Sequence, residues 1–283
     1  MALKVTNLCK EYSGFKLDNV SFHLPKGFIM GLVGKNGAGK STTIKSIMNM
    51  LDFQGNILVG GYDNVRQELQ AKQTEGVVVD QPFFPVTFTL AQVGRYAGSF
   101  YANWDKERYS DLLDQFNLSP KKKVNELSRG MGVKLQLAVA LSHKASLLVL
   151  DEPTSGLDPV ARDELLDILM SYIEDGSNSV LFSTHISADL EKIADYITIL
   201  SNGKVFYTGE KDELMEKYVI MKGDYRKLPE EAKKYFIGLR NYADCFEAMV
   251  EKKNCALIDH DAFQVENVKI DDVLIYAERG MGL

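Results

Sequence analysis

Residues 34 to 41, GKNGAGKS, constrain this chain more than any other segment, because they match the pattern G-x-x-x-x-G-K-[ST] at every fixed position. In such a loop the glycines let backbone N–H groups turn toward phosphates, and the lysine adds a positive charge. The hydroxyl that follows can reach a magnesium ion. The segment therefore predicts a site for a nucleoside triphosphate. Its predicted contact residues are Gly34, Asn36, Gly37, Ala38, Gly39, Lys40, Ser41 and Thr42.

The segments on either side of this loop favour the same interpretation. Residues 28–33 are a short apolar run, as expected of a buried strand, and residues 41–50 can continue as a helix. Such a helix directs the positive end of its dipole at the phosphates. This context favours a phosphate loop over a glycine-rich turn that matches the pattern by chance.

Composition limits the classes of protein that the chain can belong to. The 283 residues are 45% hydrophobic and 25% charged, as in an ordinary globular protein. A net charge of -6 argues against a nucleic-acid partner. Cys9, Cys245 and Cys255 lack the spacing of a metal site and indicate a reducing compartment. No apolar run approaches the ~18 residues that span a bilayer, and the first residues read as a strand rather than a signal peptide. We therefore expect a soluble chain.

Hydrophobic patterning predicts an α/β fold. Short strands are expected before the phosphate loop, and residues 90–146 are expected to be mainly helical. Two buried strands with a helix between them indicate a parallel sheet, and a two-residue Asn-Gly turn indicates a hairpin after it. The predicted strands are residues 3–8, 20–24, 57–59, 147–150, 180–183, 196–201 and 204–208.

The last part of the chain has a different pattern and is predicted to form a small α+β unit. Ala232, Tyr235, Phe236 and Leu239 follow the spacing of one helical face. A second helical face is formed by Ile270, Val273, Leu274 and Ala277, and short strands are expected at 256–258 and 263–265.

Two acidic residues follow the apolar strand at 147–150. Asp151 is placed where a P-loop enzyme needs a carboxylate to hold Mg²⁺, directly or through water. Glu152 is then the candidate to polarise the water that attacks the γ-phosphate. Two solvated acids at a strand end are the simpler alternative. The run PTSGLD at 153–158, directly after them, favours the catalytic interpretation.

With the segment LSRGM at 127–131, upstream of the paired acids, the first 215 or so residues resemble the ATPases of ABC transporters. The elements typical of that family occur in order, from Tyr12 through the phosphate loop, Gln81 and the signature to the paired acids and His185. The resemblance implies a P-loop cassette at residues 1–218. This has a mainly parallel RecA-like core sheet, an N-terminal antiparallel β subdomain and a helical subdomain at about 88–146. It leaves residues 219–283 as an accessory region.

The resemblance also implies a role for each matching residue. Tyr12 would stack on adenine, Gln81 would sense the metal and the attacking water, and His185 would contact the γ-phosphate. The expected Mg²⁺ ligands are Ser41, Gln81 and Asp151. Asp158 would communicate across a dimer interface.

The signature segment would complete the ATP site of a second cassette, so two cassettes must pair head to tail. Ser128 and Gly130 keep the family pattern L-S-G-G-Q, whereas Arg129 replaces a glycine and Met131 replaces the glutamine. Because the hydroxyl and the backbone N–H expected to meet the γ-phosphate are retained, we expect a working site. Variants of this kind resemble the ABC-2 type exporters of bacteria, including those that handle antimicrobial peptides.

The expected partners are a second cassette, in a homodimer or heterodimer, and a separate transmembrane permease subunit. The protein would then lie at the inner face of the cell membrane, with ATP and Mg²⁺ as its ligands. Seven aromatic residues between 83 and 104 form either the core of the helical subdomain or a groove for the permease.

Three other classes fit less well. A translation factor of the ABC type would carry two cassettes. A chromosome or DNA-repair ATPase would need a long coiled coil. A purely regulatory cassette would not need Glu152 and His185.

Overall fold

The computed structural model describes residues 1–79, 83–258 and 263–280, which form three β-sheets and nine α-helices. Two of the sheets belong to the first 210 residues and the third belongs to the C-terminal region. The α/β architecture expected from the sequence is therefore present.

The first sheet is antiparallel and has the strand order β2-β1-β4-β5. Alternating residues of its first strand are buried, which explains the alternating pattern of the sequence. The tight turn between β1 and β2 uses Gly14 at φ 87°. It places the end of this hairpin, at Gly14 and Phe15, beside the cleft that the phosphate loop also lines. These strands are β1 (Leu3–Tyr12), β2 (Phe15–Leu24), β4 (Gln54–Val59) and β5 (Tyr62–Asp63).

The second sheet has six strands in the order β10-β9-β3-β8-β7-β6, and all but β10 run parallel. The inner strands are buried on both faces, as a parallel sheet covered by helices requires. Its carboxyl ends meet at one edge, where the candidate site lies. The strands are β3 (Ile29–Val33), β6 (Glu75–Val78), β7 (Leu147–Asp151), β8 (Ser179–Thr184), β9 (Tyr196–Ser201) and β10 (Lys204–Glu210).

Helices flank this sheet, and the insert that was predicted to be mainly helical at residues 90–146 contains three of them, α3, α4 and α5. In that insert Tyr109, Leu112, Leu113 and Phe116 are buried on one face, in agreement with their helical spacing. The helices are α1 (Lys40–Ile47), α2 (Glu68–Thr74), α3 (Leu90–Ala97), α4 (Lys106–Gln115), α5 (Arg129–Ser142), α6 (Pro159–Ile173), α7 (Ser187–Ile193), α8 (Lys211–Lys217) and α9 (Ile270–Gly280).

The aromatic residues between 83 and 104 divide into a partly buried and an exposed group, and a groove for the permease stays a prediction for the exposed ones. Phe84, Phe88, Tyr101 and Trp104 pack on the core, whereas a second group is exposed. The exposed members are Phe83, Tyr96 and Phe100.

The C-terminal region differs from its prediction. The helix expected through Ala232 and Leu239 is instead a 3-10 turn, Glu230–Tyr235, followed by a strand, and the strand expected at 256–258 lies at the end of the 3-10 turn Lys252–Leu257. The strand at 263–265 and the helix through Ile270 are confirmed. The sheet order is β12-β13-β11-β14, with β11 (Tyr218–Asp224), β12 (Phe236–Tyr242), β13 (Cys245–Glu251) and β14 (Gln264–Asn267).

A β-bulge explains why the strand β12 has the residue spacing of a helix. The pairing of β12 with β13 shifts between Ile237 and Leu239, and Gly238 between them has φ 72°. The bulge places Phe236 and Leu239 against the same apolar cluster, while Ile237 packs on the core of the cassette. A spacing of three residues on one face is the spacing that a helix also produces.

The C-terminal sheet and α9 share a core with the ATPase-like part of the chain. Ile220, Met249, Val273 and Tyr276 belong to the same buried cluster as Ile193, at the end of α7. The division at residue 218, where β11 begins, stays a prediction. Within the described ranges, no helix is long and apolar enough to cross a membrane.

Glu75, at the start of β6, is 5% exposed, and its Oε2 atom has no hydrogen-bond partner within the described residues. Burial raises the pKa of this carboxyl from 4.5 to about 7, and Lys72 opposes the shift. The unfolded chain ionises this group first as the pH rises, so the free energy of unfolding decreases between about pH 4.5 and 7.

Glu75→Gln removes this pH dependence. We expect the variant to gain stability over the wild type by up to about 3 kcal/mol on going from pH 4.5 to pH 8. Urea unfolding at both pH values measures the difference, with Glu216→Gln on the exposed face of α8 as a control that changes little. An equal effect of Glu75→Gln at both pH values would contradict the assignment.

Candidate functional site

The phosphate loop joins β3 to α1 and is shaped by its glycines. A Cβ atom on Gly34 would lie 2.3 Å from the carbonyl oxygen of Leu200, so the loop passes too close to β9 for any side chain. Gly39 has φ 110°, and a Cβ there would lie 2.4 Å from Leu17. Both positions require glycine, and the loop therefore leads directly from the strand into the N-terminus of α1.

Lys40 is the first residue of α1 and its side chain is only 6% exposed. Its ammonium Nζ donates to the carbonyl oxygen of Gly34 at 2.7 Å and to that of Lys35 at 3.4 Å. Glu152 Oε1 lies 3.5 Å from the same nitrogen. The charge is thus held inside the loop where the phosphates of a nucleotide are expected.

Asp151, the last residue of β7, is bound by two hydroxyl groups. Its Oδ1 atom accepts from Ser183 Oγ at 2.7 Å and from Ser41 Oγ at 3.3 Å. The carboxylate therefore connects β7, β8 and the first turn of α1. Carboxylate and hydroxyl oxygens are suitable ligands for Mg²⁺, so Ser41 and Asp151 fit the predicted metal site.

Glu152 has a left-handed backbone, with φ 51°, which is unusual for a residue other than glycine. Its backbone N–H donates to Ser183 Oγ at 2.9 Å. Its side chain lies between two cationic or ionisable groups: Oε2 is 2.6 Å from His185 Nδ1, while Oε1 faces Lys40. The structure thus brings the predicted base and the predicted phosphate contact together.

A buried network supports this edge of the sheet from behind. Asp189 of α7 is fully buried, and its carboxylate accepts from Thr154 Oγ1 at 2.7 Å and from Arg162 Nε at 2.5 Å. The network connects the segment after Glu152 to the helix after His185. It therefore restricts the movement of the backbone that carries the Glu152 and His185 side chains.

The phosphate loop, the two acidic residues after β7 and His185 line a cleft of about 820 Å³, a size suited to a nucleotide. Most of the predicted contacts border it, and Gly14, Phe15 and Ser155 do so in addition. The predicted residues on its wall are Asn36, Gly37, Gly39, Lys40, Ser41, Thr42, Arg129, Asp151, Glu152 and His185.

The aromatic residue on the wall of the cleft is Phe15, on the second strand of the hairpin. Tyr12, on the first strand, is 44% exposed and has Lys10 Nζ 5.5 Å above its ring. The stacking role of Tyr12 stays a prediction, and Phe15 is a second candidate for it. Gln81 lies outside the described residues.

Three of the four signature residues, Ser128, Gly130 and Met131, line a groove apart from the phosphate loop. Ser128 caps α5 by accepting the backbone N–H of Met131 at 3.3 Å, and Asp158 caps α6 in the same way. Both border a separate groove of about 320 Å³, together with Gly130. Arg129 lines both this groove and the nucleotide-sized cleft.

Comparison with known proteins identifies the family. The profile of the ABC transporter family matches residues 17–155. The linearmycin resistance ATP-binding protein LnrL of Bacillus subtilis is 33% identical over 222 residues, which cover 76% of this chain and 71% of LnrL. The chain belongs to the ABC transporter ATP-binding proteins.

Two further relatives have different named roles. The bacitracin transport ATP-binding protein BcrA of Bacillus licheniformis is 29% identical over 76% of this chain and 72% of BcrA. The xylose import ATP-binding protein XylG of Thermoanaerobacter pseudethanolicus is 32% identical over 98% of this chain but only 56% of XylG.

A solved structure of the ATP-binding subunit of an ABC transporter confirms the fold. It is 30% identical, has a TM-score of 0.70, and covers 76% of this chain and 92% of its own. The ABC cassette is thus an ATPase with the P-loop fold that the sequence predicted. Cassettes of this family function as dimers with transmembrane subunits.

Ser183 was not recognised as a site residue, because a serine at the end of a buried strand carries no motif of its own. Ser183→Ala leaves the Glu152 N–H without its partner and removes one of the two hydroxyl groups bound to Asp151, which leaves only Ser41, at a cost of about 1–3 kcal/mol. We expect the rate of ATP hydrolysis to fall about 5- to 100-fold, with a smaller change in ATP affinity.

Ser179→Ala is the matched control. Ser179 lies at the other end of β8, and its hydroxyl also makes two hydrogen bonds, with Gly27 and Pro25. It should lower the melting temperature without a comparable loss of turnover. Equal turnover in the two variants would exclude a site role for Ser183.

Proposed function

We propose that this ABC ATPase hydrolyses ATP in the cleft at the carboxyl edge of its parallel sheet, with Glu152 as the group that polarises the attacking water. The contact of the Glu152 carboxylate with His185 on one side and Lys40 on the other carries the proposal. A carboxylate in this place can orient a water and accept its proton. His185 then contacts the γ-phosphate.

Lys40 binds the phosphates in this proposal. Its ammonium group is held near the N-terminus of α1 by hydrogen bonds to the carbonyl oxygens of Gly34 and Lys35. Ser41 and Asp151 are the proposed ligands of Mg²⁺, which would neutralise charge on the phosphates. Gln81 completes the metal site, and Tyr12 or Phe15 stacks on the base.

The signature segment serves the ATP site of a second cassette. Ser128 and Gly130 border a groove that also contains Asp158, so a single surface carries both the proposed phosphate contacts and the proposed dimer contact. Whether the second cassette is another copy of this chain or a related one does not alter the pairing. Arg129 and Met131 keep the helix start intact, which supports a working interface.

The proposed cellular role is to drive export through a transmembrane permease at the inner face of the membrane. The names of LnrL and BcrA, which concern linearmycin resistance and bacitracin transport, support a substrate of the antimicrobial or amphiphilic class. Phe83, Tyr96 and Phe100, exposed on the helical insert, are the proposed contacts with the permease.

Replacement of the proposed base tests the reaction. Glu152→Gln should reduce ATP hydrolysis about 10²- to 10⁴-fold while ATP still binds, because the amide cannot accept the proton. Lys40→Ala should instead abolish nucleotide binding. A fluorescent-nucleotide titration and a phosphate-release assay separate the two effects.

Glu68→Gln is the matched control, because Glu68 pairs with Lys72 on α2, and neither side chain borders the cleft or the signature groove. It should hydrolyse ATP at the wild-type rate. Turnover of Glu152→Gln within a few-fold of that control would contradict the role of Glu152.

Mixed dimers test the composite site. Ser128→Arg subunits mixed with Lys40→Ala subunits form some dimers with one intact site, so their ATPase activity should exceed the sum of the two variants alone. A fully active Ser128→Arg homodimer would refute the proposal.

Ser128 also caps α5, so a second variant separates recognition from folding. A Cβ atom added at Gly130 would lie 3.5 Å from Leu157 and 3.8 Å from Ala161, which are ordinary contact distances, so the site has room for the first carbon of the Gly130→Asp side chain. It should reproduce the loss of activity through its negative charge, with an unchanged melting temperature.

A further inference from the structure

The C-terminal helix α9 reaches the phosphate loop. Glu278, near the end of α9, forms an ion pair with Lys35, the second residue of the loop. The family profile ends at residue 155, and the LnrL alignment covers only 76% of the chain. Lys35 lies inside the segment that the family profile matches, and Glu278 lies outside it.

The position of α9 is fixed by packing, so this ion pair is not a chance meeting of mobile surface charges. Val273, Tyr276 and Ala277 are fully buried, and α9 packs against β12, α7 and β9. The strand β9 also lies against Gly34, at the start of the phosphate loop. The helix and the loop are therefore anchored to the same strand.

The environment of Glu278 makes its ion pair with Lys35 energetically important. The side chain is 19% exposed, and neither carboxylate oxygen accepts a hydrogen bond from a described residue. A buried carboxylate without hydrogen bonds is costly unless a positive charge compensates it. The ion pair with Lys35 supplies that compensation, and it holds the otherwise half-exposed Lys35 side chain toward α9.

Lys35 is well placed to affect nucleotide binding. Its carbonyl oxygen accepts the backbone N–H of Ala38 at 3.0 Å and faces Lys40 Nζ at 3.4 Å. Its ammonium group pairs with Glu278, and Lys35 is not on the wall of the cleft although the next residue, Asn36, is. A cation paired with Glu278 attracts phosphates less than one that is not, because the carboxylate cancels its field.

We propose that the C-terminal unit restrains nucleotide binding in the same chain, with Glu278 as a positioning residue that holds Lys35 away from the phosphates. The proposal rests on the assignment of the nucleotide to the phosphate loop. The C-terminal unit thereby regulates the ATPase without contributing to the chemistry.

A double-mutant cycle on the full chain tests this proposal, with the Kd of a fluorescent ATP analogue as the readout. Glu278→Gln should lower the Kd about 3- to 10-fold, the effect of one unit charge at a partly screened distance. Lys35→Ala leaves the Glu278 carboxylate without its counter-charge, so it should raise the Kd rather than lower it. In the Lys35→Ala background, Glu278→Gln should return the Kd toward the wild-type value but not below it, because no lysine remains to be released.

Glu266→Gln is the matched control, since Glu266 on β14 pairs with Lys222 at 2.8 Å within the C-terminal sheet. It removes the same charge from the same unit and should leave the Kd unchanged. If Glu278→Gln does not fold, Glu278→Asp shortens the side chain by one methylene, weakens the pair, and should lower the Kd in the same direction.

Each remaining result has a distinct meaning. An unchanged or higher Kd in Glu278→Gln, or a Kd of the double variant as far below the wild-type value as that of Glu278→Gln, overturns the regulatory proposal. If Lys40→Ala also loses binding in that experiment, the proposed nucleotide site stands. Retention of binding by Lys40→Ala would instead refute the site itself.

Discussion

The Asp151 carboxylate is the contact on which the arrangement of the site depends. It accepts hydrogen bonds from the hydroxyl groups of Ser41 and Ser183, and so joins α1, β7 and β8 at one edge of the sheet. Ser183 in turn accepts the N–H of Glu152, which sets the direction of the next side chain. Parallel strands bring their carboxyl ends together, and this network converts that shared edge into a defined geometry.

The ATPase part of the fold could be predicted because its function depends on local segments of sequence. The phosphate loop and the paired acids each follow an apolar strand, so the motif and its structural context predict each other. Ser183 and Phe15 could not be found in this way. Each is an ordinary residue whose importance comes from what lies across the sheet edge or the cleft, and a single sequence does not show such contacts.

The C-terminal region was predicted only in part, for a physical reason. A bulge at Gly238 moves Phe236 and Leu239 onto one face of β12, and three-residue spacing then imitates a helix. The α9 helix lacks such an irregularity and was predicted correctly. Its contact with Lys35 was not predicted, because pairing between distant charges leaves no periodic signal.

The left-handed backbone of Glu152 has a consequence for how the protein can change over time. A non-glycine residue held there costs of order 1 kcal/mol or more, and glycine at the same position would relieve that strain. The most accessible stabilising substitution at this position is therefore one that abolishes the carboxylate. Under the role proposed for Glu152, that substitution would exchange hydrolytic activity for stability, so the strained backbone and the proposed chemistry belong to the same residue.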